Sequence, residues 1–297
     1  MRAVVTSAPA PAVLFLGAAA SFAAAQPPMN RAEPARDAPA TASSPMVVPL
    51  RLSRHFPIIV ATIEGREVPL VFDSGDQSTV ALRQSVLAEI KAVRTSESTQ
   101  LQFAQGPTVK SERFRIPRLQ IGQAVFTDII GRSDVHDPSY EATDAGQEGF
   151  LGTGLFKAYE VVLDYRNRTM TLVPRMTGDS ASASCRGTIV PFAATKAPAE
   201  PVTQVETDLG KFLAWWDTGT PTSVLSKRFV QAAWPNQSKD RLKTRRFILG
   251  GRDFGPWPFD VWDITLPPWF SGFIGYNFFA SHIVCMDFPD KRIVIRQ

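Results

Sequence analysis

Cysteine and histidine are scarce in this sequence. Its 297 residues include two cysteines, Cys185 and Cys285, with no Cys-x-x-Cys pair, and three scattered histidines, His55, His136 and His282. A closed zinc site needs a tighter gathering of nitrogen and sulfur ligands, so neither a metal nor another cofactor is expected. The same scatter leaves Ser/His/Asp or Cys/His catalysis without an evident base, and each histidine reads as a surface or hydrogen-bonded residue. Charge of one sign is also in short supply. The net charge is +4 with a pI near 9.2, and no run of Lys and Arg is interleaved with aromatics in the way a nucleic-acid groove requires. The densest basic stretch, Lys239 to Arg246, reads as a solvated loop or helix face, and nucleic acid is excluded as a partner.

Long apolar runs are missing too. The N-terminal apolar segment from Ala12 to Ala25 is about 14 residues, against the roughly 20 that a membrane-spanning helix needs. With Arg2 before it and small residues up to Ala25, it reads as a signal peptide over 1–25, cleaved rather than retained as an anchor. No cysteine follows to carry a lipid. Residues 26–46, rich in Pro, Ala and Ser, have too few large apolar side chains to offset the entropy of ordering and read as a disordered tether. The expected location is periplasmic or secreted, with no stable membrane insertion. What remains is ordinary for a globular protein, 44% hydrophobic and 20% charged.

That remainder is written twice. Gly149 to Val173 (GFLGTGLFKAYEVVLDYRNRTMTLV) returns as Gly272 to Arg296 (GFIGYNFFASHIVCMDFPDKRIVIR), and Val48-Pro49-Leu50 returns as Val190-Pro191-Phe192. Asp73-Ser74-Gly75 returns as Asp217-Thr218-Gly219, 144 residues later. The order of signals is the same in both copies. Each copy is β in character: Phe56 to Gly65 and Arg66 to Asp73 flank a Glu-Gly turn as a hairpin does, and Val161–Asp164 pairs with Thr169–Val173 about the turn at Tyr165 to Arg168. Short helices are expected only after each Asp motif, at about Leu82–Ala92 and Val224–Ala233. An Asp-Ser-Gly or Asp-Thr-Gly after a strand is usually a mere turn, but two in duplicated halves point to a pair of carboxylates.

On these residues the chain resembles the aspartic peptidases of the pepsin and retropepsin kind. The resemblance rests on apolar-Asp-[Ser/Thr]-Gly in each half (Phe72 to Gly75, Trp216 to Gly219). Each is followed by Ser/Thr and Val (Ser78-Thr79-Val80, Thr222-Ser223-Val224) and answered downstream by apolar-apolar-Gly (Phe150-Leu151-Gly152, Phe273-Ile274-Gly275). It implies an all-β, acid-protease fold of two homologous barrel-like lobes about a pseudo-two-fold axis, an N-terminal lobe over 47–176 and a C-terminal lobe over 177–297. It implies an exported bacterial endopeptidase acting on peptide or protein substrates as a monomer, since one chain supplies both halves. Asp73 and Asp217 would be catalytic, sharing one proton because crowded like charges do not both ionise. Ser74 and Thr218 would hydrogen-bond across the axis. Gly75 and Gly219 would let the backbone turn at each carboxylate, and Gly152 and Gly275 would lie where a strand crosses behind each loop. Phe103 and Gly106 would belong to a flap at Leu101–Phe114.

The pattern departs from the family at Asp76, where a small residue is usual, and in a flap without Tyr. Asp76 either repels the dyad and raises its proton affinity, or points away to cap the helix near Leu82 or pair with an arginine such as Arg83. The other function left open is a catalytically inactive module that binds peptides or proteins in the same cleft; a purely structural envelope protein would leave the duplicated Asp loops unexplained. Cys185 and Cys285 fall in the same copy, and export into an oxidising compartment would join them if their strands are neighbours; otherwise they are buried thiols.

Overall fold

The computed structural model describes residues 44–103, 108–135, 146–175, 185–194, 201–264 and 270–296. The expected signal peptide and nearly all of the expected tether lie outside the described residues. Strand β1 (Met46–Pro49) already begins at the tether's last residue. The first half continues with β2 (Arg51–Ser53), β3 (Phe56–Ile63), β4 (Arg66–Asp73), β5 (Val80–Leu82), helix α1 (Gln84–Glu89), β6 (Val93–Gln102), β7 (Thr108–Ile121), β8 (Ala124–Ser133), β9 (Gly149–Gly152), β10 (Tyr159–Asp164) and β11 (Thr169–Pro174). The second half has β12 (Gly187–Pro191), β13 (Val202–Thr207), β14 (Gly210–Trp216), β15 (Val224–Ser226), α2 (Lys227–Ala233), β16 (Arg241–Thr244), β17 (Phe247–Leu249), β18 (Arg252–Asp253), β19 (Trp257–Trp262), β20 (Phe270–Ile274), α3 (Tyr276–Phe279), β21 (Val284–Asp287) and β22 (Arg292–Arg296).

Apolar side chains alternate along most of these strands, and the β3–β4 hairpin closes through Glu64 and Gly65, both at positive φ (46° and 84°), the conformation a tight two-residue turn requires. The helices after the Asp motifs form as expected but start later, each behind a three-residue strand, β5 or β15. The third helix, α3, was not foreseen. Nor was β16: within the basic stretch at Lys239–Arg246, Arg241–Thr244 is an edge strand flanked by loop, with Leu242 and Thr244 turned inward and Arg241 and Lys243 outward. Charged side chains on an exposed edge discourage pairing with other chains.

Two eight-stranded sheets repeat one plan. In the first the order is β2-β3-β4-β9-β5-β8-β7-β6, and in the second β16-β19-β15-β20-β14-β13-β17-β18. In each, the strand leading to the aspartate runs parallel to the strand leading to the glycine: β4 beside β9, β14 beside β20. This is the all-β, bilobal arrangement. A third, six-stranded sheet, β1-β11-β10-β21-β22-β12, takes a hairpin and an outer strand from each half. Its centre is the antiparallel β10–β21 pair, where the copies meet.

That central pairing sets Glu160 directly opposite Asp287, both fully buried. Like charges facing each other across a ladder are unfavourable. Arg175, whose side chain is 3% exposed, lies between them, with Nη1 2.5 Å from Asp287 Oδ2 and 3.4 Å from Glu160 Oε2, while Nη2 holds Asp290 at 2.7 Å. Arg292 adds a second cation to Asp287 and Asp290. Beside this cluster Cys185 and Cys285 form a disulfide, packed among Val162, Val173 and Val294. Cys285 is on β21 and Cys185 lies two residues before β12, and β22 stands between those two strands in the sheet, so the bridge does not join adjacent strands.

Removing Arg175 leaves two buried carboxylates facing each other. Arg175→Met is expected to lower unfolding free energy by about 3–5 kcal/mol, the usual cost of stranding a buried charge, as measured by denaturant unfolding at neutral pH.

Candidate active site

The aspartates sit where each strand runs out of ladder. Phe72 and Trp216, immediately before them, are fully buried, and burying a side chain of this size contributes about 2–3 kcal/mol. Phe72 packs edge-on to Phe156, and Trp216 edge-on to Phe278. The chain is thus pinned one residue before each carboxyl, while Asp73 and Asp217 keep partial access to solvent.

The loops then interlock. Ser74 Oγ donates to the Trp216 carbonyl at 2.7 Å and accepts from Thr218 N–H at 3.0 Å. Reciprocally, Thr218 Oγ1 donates to the Phe72 carbonyl at 2.6 Å and accepts from Ser74 N–H at 3.0 Å. Both hydroxyls are fully buried and satisfied as donor and acceptor. The Trp215 indole adds a bond to the Ser74 carbonyl at 3.2 Å.

The glycines have a reason the sequence did not reveal. Neither Gly75 nor Gly219 is at positive φ. Each is instead pressed against the opposite carboxyl: a Cβ on Gly75 would lie 2.8 Å from Cγ of Asp217, and one on Gly219 would lie 3.0 Å from Cγ of Asp73. Hydrogen is the only side chain that fits. Each glycine N–H also donates to its own loop's aspartate at 2.8 Å. Behind the loops, a Cβ on Gly152 would come within 2.2 Å of the Ser78 carbonyl oxygen, and one on Gly275 within 2.1 Å of that of Thr222. These are the crossings expected of them.

Asp76 pairs with neither helix α1 nor Arg83. Its carboxylate accepts from Ser78 N–H at 2.8 Å, from Ser78 Oγ at 2.9 Å and from Arg132 Nη2, on β8, at 2.7 Å. Burial works against its charge, but Arg132 and Ser78 prevail and hold it below the usual carboxylate range. Asp73 is pushed well above that range, by burial first, then by the charges of Asp217 and Asp76. Asp217 is also raised by burial, opposed by donors from Thr220 and Gly219. Coupled like charges in one desolvated place shift in this way when one of them keeps a proton.

Three contributors were missed. Thr220 Oγ1 lies 2.5 Å from Asp217 Oδ2, and it occupies the place of Asp76 at the 144-residue offset, so the repeat could have found it. Arg132 lies 56 residues from Asp76 and carries no local signal. His55, in the β2–β3 turn, packs on Phe56 and lies against the Gly219 backbone. Of the expected flap, β6 and β7 form the hairpin and Phe103 follows β6, while Gly106 lies outside the described residues. Among the described residues no group of three or more His, Cys, Asp or Glu is placed to hold a metal ion.

Residues 59–154 match the family model of aspartyl proteases, a span that includes Asp73, Asp76, Arg132 and Gly152. The chain is similar to the crystal structure of an aspartic proteinase from Irpex lacteus, with a TM-score of 0.60 and 12% identity over 86% of this chain and 97% of that one. At that identity the likeness is one of fold. No curated protein matches the chain.

A group whose folded-state pKa is raised lends stability below its unfolded pKa and loses it as pH climbs through the folded value. Both dyad carboxyls are raised. Asp73→Asn is therefore expected to be more stable than the native chain at about pH 7, by roughly 1–3 kcal/mol, with the gap closing below about pH 4. Urea unfolding of both proteins at the two pH values measures it.

Proposed function

We propose that this chain, whose matched segment and fold are those of an aspartic peptidase of the pepsin and retropepsin type, is an exported endopeptidase that hydrolyses peptide bonds with a water activated by Asp73 and Asp217. The observation that carries the reading is the reciprocal contact of glycine and carboxyl: each aspartate is seated against the other's loop. So close a setting has no structural use that a turn would not serve with less desolvation.

The chemistry follows from one shared proton. The ionised carboxyl takes a proton from water as the water oxygen bonds to the peptide carbon. The protonated carboxyl gives its proton to the carbonyl oxygen as the C=O π pair moves onto it. On collapse the C–N bond breaks, the nitrogen takes up a proton from the dyad, and the other carboxyl recovers the proton from the hydroxyl that becomes C=O again. Ser74 and Thr218 hold the two carboxyls in register, and the β6–β7 hairpin with Phe103 covers an extended substrate.

Export to the periplasm or medium is supported by the apolar N-terminal segment and by the Cys185–Cys285 bridge, which persists in an oxidising compartment. One chain holds both carboxyls, so a monomer suffices. The reading of an inactive binding module drew on Asp76 as a misplaced charge, and that charge is engaged by Arg132 and Ser78.

The test is cleavage of a diverse peptide mixture by the mature protein, with and without a statine-type transition-state analogue. Asp73→Asn and Asp217→Asn are each expected to lower kcat/KM by about a thousandfold or more with the fold retained. Substantial turnover by either variant rejects the dyad, and analogue-sensitive peptide binding without any cleavage identifies the binding module.

A further inference from the structure

The two Asp loops share one backbone course, and beyond Ser74 and Thr218, which bond alike, they differ at Asp76 against Thr220. Asp76 N–H donates to the Asp73 carbonyl at 3.2 Å, and Thr220 N–H to the Asp217 carbonyl at 3.3 Å. The carbonyl of Asp76 then accepts from Thr153 N–H at 2.8 Å, and that of Thr220 from Tyr276 N–H at 2.9 Å. On this matched frame Thr220 turns its hydroxyl onto Asp217. Asp76 turns onto Ser78 and Arg132, with its side chain 10% exposed and that of Arg132 5%. A carboxylate held by three donors is ionised and has no proton to offer Asp73. Asp217 thus gains a hydroxyl donor that favours its anion, while the matching position beside Asp73 supplies an anion instead.

We infer that Thr220 and the Asp76–Arg132 pair make the two carboxyls unequal, so that the dyad's proton rests on Asp73 and Asp217 is the base. This assignment rests on the hydrolytic reading above and gives each carboxyl its step. Asp217 takes the proton of the attacking water, and Asp73 protonates the carbonyl oxygen. As the C–N bond breaks, Asp217 returns its proton to the nitrogen and Asp73 regains its own from the oxygen. Asp76 and Arg132 touch no reacting atom; they are positioning residues that fix where the proton starts.

The directions agree with these contacts: Asp73 is raised by burial first and then by the charges of Asp217 and Asp76, whereas Asp217, raised by burial, is opposed by the Thr220 hydroxyl. Among the described residues, other titratable groups near the dyad include Tyr165, which follows β10, its neighbour Tyr276 on α3, and His55 in the β2–β3 turn, beside the exposed Arg54. Tyr165 is pushed well above its ordinary value, by burial first and then by Tyr276, Asp217 and Asp73, and stays neutral. His55 is pushed down by burial and stays neutral at neutral pH.

In the intact pair the two midpoints belong to the pair and not to either residue. The test therefore titrates one carboxyl at a time by 13C NMR of aspartate-labelled protein, Asp73 in the Asp217→Asn chain and Asp217 in the Asp73→Asn chain. Asp73 is expected to titrate about one pH unit or more above Asp217. Adding Asp76→Asn is expected to lower the Asp73 midpoint by roughly one unit and to move that of Asp217 by less than about half as much. Asp76→Ser combined with Arg132→Gln, which removes both charges together and restores a hydroxyl, should bring the two midpoints together even if the single variant is unstable. Equal midpoints in the parent pair, the reverse order, or an Asp76 effect of equal size on both carboxyls overturns the assignment. Because titration needs no turnover, a chain that cleaves nothing refutes the hydrolytic reading while the midpoints still decide where the proton sits. In an active chain, Asp76→Asn should also move the alkaline limb of kcat/KM toward acid by about one pH unit; a merely structural role would lower kcat without moving that limb.

Discussion

The exchange of hydrogen bonds between Ser74 and Thr218 is the contact on which the site depends. Two carboxyls pressed into one desolvated place repel whenever both ionise, and something must hold the loops together against that. The four bonds of the exchange contribute about 1 kcal/mol each net of water. Their larger effect is the cost of opening them, which would strand buried hydroxyls, amides and the Phe72 and Trp216 carbonyls. Small hydroxyl residues are required here because each must donate and accept at once within a fully buried contact.

The exchange works only if the lobes arrive in register, and the central sheet supplies that. Pairing β10 with β21 fixes the hairpins of the two copies against each other. The buried Glu160 and Asp287 make a slipped register costly, since Arg175 reaches both only where they lie opposite. A pair of apolar residues would stabilise the seam as well or better. The cluster therefore acts more on which alignment forms than on how strongly it holds.

Much of this was legible in the chain. Strand alternation, the Glu64-Gly65 turn and the repeat of Asp73-Ser74-Gly75 in Asp217-Thr218-Gly219 are local or periodic signals, and they carried the lobes and the candidate pair. What stayed hidden was long-range. Gly75 reads as a turn glycine, because its true constraint is a carboxyl 142 residues away, that of Asp217. For Asp76 the chain suggests only nearby partners, the helix near Leu82 or an arginine such as Arg83, because nothing along it points to Arg132 on a parallel neighbour of β5. Lys243 and Arg241 read as a solvated loop or helix face because an edge strand with one wet face carries the same charges. The β character of a segment shows in its pattern, whereas its partners depend on sheet order.

A symmetric frame poses a chemical difficulty that a duplicated chain can resolve. Hydrolysis by two carboxyls needs one acid and one base, yet a two-fold axis gives each the same glycine N–H, the same crossing strand and the same hydroxyl exchange. In a dimer of identical chains the free site is symmetric by construction, and only substrate distinguishes the carboxyls. Fusion of the halves frees their sequences to diverge. Here the divergence that changes charge beside the dyad is Asp76 against Thr220, on backbones that bond alike. Burying an extra charge there costs desolvation, which Arg132 and Ser78 offset. A neutral side chain would have filled the space without that cost, so the charge itself is the feature that calls for a role, and its place on the loop of Asp73, with its N–H on the Asp73 carbonyl, gives the role a direction.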